Sequence, residues 1–186
     1  MQRMKANRKY LILLCWLVLN IAFAQKAPLK YGKVSDREKQ VQVCYYDSSA
    51  AALILYDYGT ISMGYGQPMV HTHHKRVKIF NEGGFNQATI SIPFYSYQGS
   101  EYIKKLKAQT INTTKEGKIV KTAVEKGQIF KKKINEYWSE MVFTFPAVEE
   151  GSIIEYSYAH YSESITNLKK WYFQSKIPTL HSELRI

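Results

Sequence analysis

The sequence is short of cysteine, of acidic residues and of long apolar runs, and each shortage excludes something. It holds two cysteines, Cys15 and Cys44, in 186 residues, so no disulfide framework is available. It has 15 acidic residues against 26 lysines and arginines, which leaves a basic surface suited to anionic partners or simply to water. Its one sustained apolar run, from Leu11 to Ala22, is interrupted by Asn20 and falls below the roughly 20 residues that a membrane span needs. There is no internal repeat, no phosphate-cradling glycine loop, no nucleophile elbow and no dinucleotide fingerprint, so the commonest nucleotide and acyl-transfer chemistries have no footing in the sequence.

What the N-terminus does contain is the anatomy of a secretory leader. Arg3, Lys5, Arg8 and Lys9 precede the apolar run, and the small-x-small triplet Ala22-Phe23-Ala24 closes it, the order of parts that export and leader cleavage require. Residues 1–24 are expected as a signal peptide helix that is removed, and 25–39 as a flexible linker, with Lys26 to Lys33 mobile. A lipoprotein leader would place a cysteine just after a small-residue box, whereas Cys15 sits inside the apolar run. Taking the leader's four cations from the formal charge of +11 leaves +7 on 162 residues with Cys44 as the lone thiol. That length suits one domain held together by burial alone. Export points to a periplasmic or cell-envelope location, with no nucleic-acid partner and no transmembrane span after cleavage.

From Gln40 onward the apolar residues recur at period two, the signature of extended strands. Val77 and Ile79 alternate with Arg76 and Lys78; Ala88, Ile90, Ile92 and Phe94 with Thr89 and Ser91; Met141, Phe143 and Phe145 with Glu140 and Thr144; Ile154, Tyr156 and Tyr158 with Glu155 and Ser157. Turn chemistry separates these runs at Glu82-Gly83-Gly84, Lys115-Glu116-Gly117-Lys118 and Glu149-Glu150-Gly151, each a candidate hairpin or short connection. Short helical turns are readable only at Asp36 to Gln40 and Ser100 to Leu106. The pattern predicts an all-β domain over 40–186, an antiparallel sandwich or barrel.

Four constellations carry potential chemistry. His71 and His73 fall on one face of a strand, as metal ligands would, but lack a third ligand nearby in sequence. Cys44 lies between Val43 and Tyr45, a setting of buried thiols rather than of activated ones. Glu149 and Glu150 fall in a turn and Glu155 on the polar side of a strand, so they make no acid–base pair. The aromatics Tyr45, Tyr46, Tyr56, Tyr58, Tyr95 and Tyr97, with Trp138 or Trp171, supply rings for stacking on sugars or for a core margin. No catalytic, cofactor or metal site is expected.

Several strings in order carry a family resemblance: Asp47-Ser48-Ser49-Ala50, Leu55-Tyr56-Asp57-Tyr58-Gly59, His74-Lys75-Arg76-Val77-Lys78-Ile79, Ile90-Ser91-Ile92-Pro93, Phe143-Thr144-Phe145-Pro146, Glu150-Gly151-Ser152-Ile153-Ile154-Glu155-Tyr156, Trp171-Tyr172-Phe173-Gln174, Ile177-Pro178 and Ser182-Glu183. From about Tyr31 to Glu183 the chain resembles the domain-of-unknown-function 3857 (DUF3857) family, found at the N-terminus of exported bacterial proteins that carry a transglutaminase-like domain next. The resemblance implies a β-sandwich without an activity of its own, truncated here before a papain-like domain that would hold any catalytic triad. It implies a partner, that downstream domain, docking on an apolar surface at Trp171, Phe173, Ile177 and Pro178. The alternative is a sandwich that binds envelope polysaccharide or peptide through exposed aromatics.

Overall fold

The alternating runs become strands, and two sheets result. The computed structural model describes residues 29–164 and 168–186; the expected leader helix lies outside them. The strands are β1 (Ala52–Ser62), β2 (Met69–Ile79), β3 (Thr89–Tyr95), β4 (Glu101–Thr113), β5 (Ile119–Ala123), β6 (Phe130–Lys133), β7 (Trp138–Thr144), β8 (Ile153–Ser162) and β9 (Ser182–Arg185). They form a six-stranded sheet in the order β5-β4-β8-β2-β1-β9 and a three-stranded sheet in the order β3-β7-β6. The pairings are antiparallel, with one exception: β9 lies parallel along β1. This is the all-β sandwich that the periodicity predicts, with a parallel edge that periodicity does not encode.

The main core lies between the sheets. Ala52, Ile54, Val77, Ile79, Ala108, Ile154 and Tyr156 of the large sheet meet Ile92 and Phe143 of the small one, with Phe145 just beyond it. A second core occupies the other face of the large sheet, where Leu53, Leu55, Ile111 and Ile153 pack with Cys44. Because that sheet is covered on both sides, Ala52 to Gly59 of β1 is buried at every position. Such a strand reads as a continuous apolar run and does not alternate.

The second core is roofed by the N-terminal segment. Helix α1 (Asp36–Gln40) is a single turn closed by a capping box: Ser35 Oγ accepts from the Glu38 amide while Glu38 accepts from the Ser35 amide at 2.7 Å, which satisfies two otherwise orphaned donors. Residues 31–39, expected as linker, are tied to the sheet. The Gly32 amide donates to Glu155 at 2.7 Å, Lys107 Nζ sits 4.0 Å from the Tyr31 ring centroid, and Glu38 pairs with Arg76. The compact unit accordingly runs from Tyr31 to Ile186.

The turns divide by role. Lys115 to Lys118 makes the expected β4–β5 hairpin, with Gly117 at φ +78°. Glu149 to Gly151 joins β7 to β8 and so passes from one sheet to the other. The expected reversal at Glu82-Gly83-Gly84 opens a 3-10 helix over Glu82–Ala88, capped when Asn81 accepts from the Gly83 amide. Glu101 to Leu106 is strand, and the helix-like spacing read from Ser100 marks a bulge between Lys104 and Lys107 where Lys105 takes φ +55°. The extra residue shifts the apolar phase. None of the described helices is long and apolar enough to cross a membrane.

Candidate functional site

Strand β2 carries six polar side chains in succession, from His71 to Arg76, although it is flanked on both sides in the sheet. Alternation sends His71, His73 and Lys75 to the face shared with Val77, and His74 and Arg76 to the other. Two polar clusters follow, one per face.

On the first face the small sheet does not reach, and the polar groups line a cleft of about 610 Å³. Asp57 of β1 lies opposite Lys75, and Tyr158 of β8 opposite His73. The Asp57 carboxylate bonds His73 Nε2 at 2.5 Å and Lys75 Nζ at 3.0 Å, and His73 Nδ1 meets the Tyr158 hydroxyl at 3.0 Å. Burial raises the Asp57 carboxyl, but hydrogen bonds and attraction from His73 and Lys75 outweigh it and hold the group below the usual range. Deeper along the strand, His160 and Glu101 form a buried pair at 3.0 Å.

The roof of the cleft is the segment from Lys169 to Lys176. Trp171 sets its indole edge over His73 and His71, with centroids 5.1 and 5.9 Å apart, and its Nε1 donates to Ser182 Oγ at 3.0 Å. Room for the indole exists because β1 carries Gly59: a Cβ there would lie 2.7 Å from Trp171 Cζ3 and 2.9 Å from Leu184 Cδ1. An isolated glycine inside a strand marks this sort of close approach. His71 is buried with an unpaired Nε2. Desolvation, joined by the neighbouring His73, His160 and Lys169, presses its pKa down to about 4, so the ring is neutral at pH 7.

The second cluster is an ionic knot centred on Glu155. Its carboxylate is fully buried and accepts from Arg76 at 2.5 Å, His74 at 2.8 Å, Gln109 at 2.7 Å and the Gly32 amide at 2.7 Å. These bonds overcome burial and lower its pKa to about 2. The expectation that Glu155 lies on a polar strand face is corrected: that face is covered by residues 31–50. No paired carboxylate for acid–base work results, because the Glu155 oxygens are already occupied by donors.

The expected site residues divide. Phe173 is 56% exposed. Trp171 is half-buried over the histidines, Ile177 packs against the main core, and Pro178 is half-buried with its carbonyl accepting from the Ile54 amide at 2.9 Å. His71 and His73 do share a face, with rings 6.3 Å apart, but no group of three or more metal-ligating side chains occurs among the described residues. Cys44 is fully buried in the second core. Tyr56 and Tyr58 are buried, whereas Tyr95, Tyr97, Tyr137 and Trp138 cluster at one end of the small sheet. Sequence reasoning missed both polar clusters. The isolated Gly59 and the unbroken polar run in β2 were the available signals.

Residues 67–186 match the family model described as "Domain of Unknown Function with solved-structure structure (DUF3857)". No curated protein matches the sequence. Among solved structures, the chain is similar to one from Parabacteroides distasonis described as a "putative protease", at 15% identity and a TM-score of 0.50. The match covers 61% of this chain and 23% of that one, so the chain spans less than a quarter of that structure's length. At this identity the likeness is one of fold. The family match covers most of the chain, which therefore belongs to the DUF3857 family.

Proposed function

We propose that this DUF3857 member is a non-catalytic packing module of an exported, envelope-associated bacterial protein, docking the transglutaminase-like domain that follows it in such proteins. The observation that carries this reading is the run of exposed apolar side chains in the C-terminal segment that ends in β9. Tyr172, Phe173 and Ile186 are 71%, 56% and 84% exposed, and Leu168 and Leu180 are exposed as well. Sheet edges are ordinarily guarded against unwanted pairing. Edge strand β3 carries Pro93, β6 carries Lys131-Lys132-Lys133, and β5 carries Lys121. Strand β9 carries only the ion pair of Glu183 and Arg185, 2.5 Å apart, over its four residues. Exposed rings beside a short edge strand are what a docking partner requires.

Two further facts support a non-catalytic role. The partners of the His73 ring nitrogens are Asp57 and Tyr158, and no described serine or thiol is bonded to the ring. The chain's described thiol, Cys44, is sealed in the second core. The structural neighbour's description as a protease concerns a chain more than four times as long as the matched part, which leaves room for catalysis in other domains.

Titration of the purified chain with a transglutaminase-like domain from a protein of this family tests the proposal. Saturable heat that a Tyr172→Ser, Phe173→Ser variant loses is the expected result. A chain that neither binds that domain nor enhances the emission of an apolar dye would refute it. A second reading, saccharide binding, is favoured by the ring cluster on the small sheet: Tyr95 stacks on Tyr137 at 6.3 Å and 4°, and Trp138 stands edge-on to Tyr95 at 5.6 Å. Titrating envelope polysaccharides against Trp138 fluorescence tests it, and no saturable change across a broad panel counts against it.

A further inference from the structure

The cleft beneath Trp171 is electropositive, and its positive charge is not compensated internally. Asp57 is the one carboxylate among its described lining residues, and His73 and Lys75 already engage both its oxygens. Lys170 and Lys176 project from the roof segment into the lining, and neither has a carboxylate within ion-pair distance among the described residues. Lys169 anchors the roof by donating to the Pro93 carbonyl at 2.7 Å. Beneath them lies the unpaired Nε2 of His71, a buried polar atom of the kind that costs free energy when it is left without a partner.

We propose that this cleft binds a compact oxyanion, a carboxylate or phosphate group, held by Lys170 and Lys176 against the Trp171 and His71 wall. Charge complementarity selects the ligand, because charge-assisted hydrogen bonds to ammonium groups are strongest for oxyanions. The cleft's volume of about 610 Å³ exceeds that of a bare anion, so the group is carried on a body of amino-acid or sugar size. Burial is the first cause of the depressed His71 pKa, and the neighbouring His73, His160 and Lys169 push it the same way. A bound anion would oppose it.

The test uses the purified chain carrying Trp138→Phe, so that Trp171 dominates the emission of the folded domain. It is titrated separately with inorganic phosphate, with N-acetylglycine, and with the uncharged methyl ester of N-acetylglycine. The expected result is a saturable Trp171 response to at least one anion, none to the ester, and an upward move of the His71 titration midpoint by NMR in the presence of the responding anion. A response to phosphate alone identifies a phosphate site, and one to N-acetylglycine alone a carboxylate site. In a Lys170→Ala, Lys176→Ala variant, affinity falls by about tenfold or more while the thermal midpoint is unchanged, since both lysines are exposed. Absence of any response to both anions overturns the proposal. So does an equal response to the ester, or an undiminished one in the folded double variant.

Discussion

Replacing Glu155 with glutamine gives the most direct test of how the large sheet is held together. The substitution keeps the shape of the side chain and removes a charge that four donors surround: Arg76, His74, Gln109 and the Gly32 amide. The magnitude follows by two routes. The carboxyl falls from an ordinary 4.5 to about 2 in the folded protein, and at 1.36 kcal/mol per pH unit this corresponds to about 3 kcal/mol of stability at neutral pH. Independently, breaking a buried ion pair by removing one partner costs about 3–5 kcal/mol. For a domain of this size each kcal/mol moves the thermal midpoint by about 2–4 °C, so Glu155→Gln lowers it by roughly 10 °C near pH 7. The sign with pH is fixed as well. A carboxyl with a depressed folded pKa contributes fully above its unfolded value, and the contribution fades as pH falls from 4.5 toward 2. Circular-dichroism melts of both proteins between pH 7 and pH 2 measure this. The gap between the melting curves narrows on acidification. A variant that melts within about 2 °C of the parent at pH 7, or a gap that stays constant down to pH 2, would show that Glu155 does not organise the knot.

Two further outcomes follow from the cleft. Gly59→Ala places a methyl 2.7 Å from Trp171 and 2.9 Å from Leu184; overpacking of this kind costs about 1–3 kcal/mol and expels the indole, so Trp171 emission shifts to the red. An unshifted spectrum with unchanged stability would mean that the indole does not occupy the Gly59 notch. His71 acts in the same direction as Glu155, over a higher pH window. Its pKa drops from 6.5 to about 4 on folding, so the unfolded chain binds the proton more readily and stability falls as pH decreases from 6.5 to 4. An NMR titration of His71 with a midpoint near 6.5 would contradict the burial that the structure assigns to it.

How much of this was legible depended on how many faces of each strand are covered. Strands β3 and β7 belong to a sheet with one packed face, and their alternation was plain in Ile90, Ile92 and Phe94 and in Met141, Phe143 and Phe145. Strand β1 was not legible as an alternating strand because Ala52, Ile54, Leu53 and Leu55 fill cores on opposite faces. Glu155 was misplaced for the same reason: alternation with Ile154 and Tyr156 reads as a polar outer face, yet residues 31–50 cover it. The helical turn at Asp36 to Gln40 and the Gly117 turn depend on local geometry alone, and the sequence shows both. The roof of the cleft lies in a segment without periodicity, and only Gly59 hinted that a large ring approaches the sheet there. The expected docking residues were chosen as apolar side chains near the C-terminus. Ile177 and Pro178 turn inward because that stretch runs beside β1, where the Pro178 carbonyl bonds Ile54 and the Leu180 amide bonds the Ile54 carbonyl.

The polar run in β2 makes energetic sense as a device that fixes register. A buried ion pair stabilises little compared with well-packed apolar side chains of similar volume, so charge is a poor choice for a strand flanked on both sides by others. A slip of one residue, however, exchanges the two faces of a strand completely. With apolar residues throughout, a shifted β2 would still bury oil against oil. With His73 and Lys75 matched to Asp57 on one face, and His74 and Arg76 matched to Glu155 on the other, the same slip leaves both carboxylates without their partners in a buried setting. Replacing Arg76 by methionine together with Glu155 by leucine should therefore behave unlike Glu155→Gln. Its thermal midpoint falls, because His74, Gln109 and the Gly32 amide lose their acceptor and Glu38 its cation, and amide hydrogen exchange along β2 and its neighbours accelerates beyond that of β3 and β7 because alternative pairings come within reach. Parent-like exchange in a folded double variant would mean that the apolar contacts of Val77 and Ile79 alone hold the register.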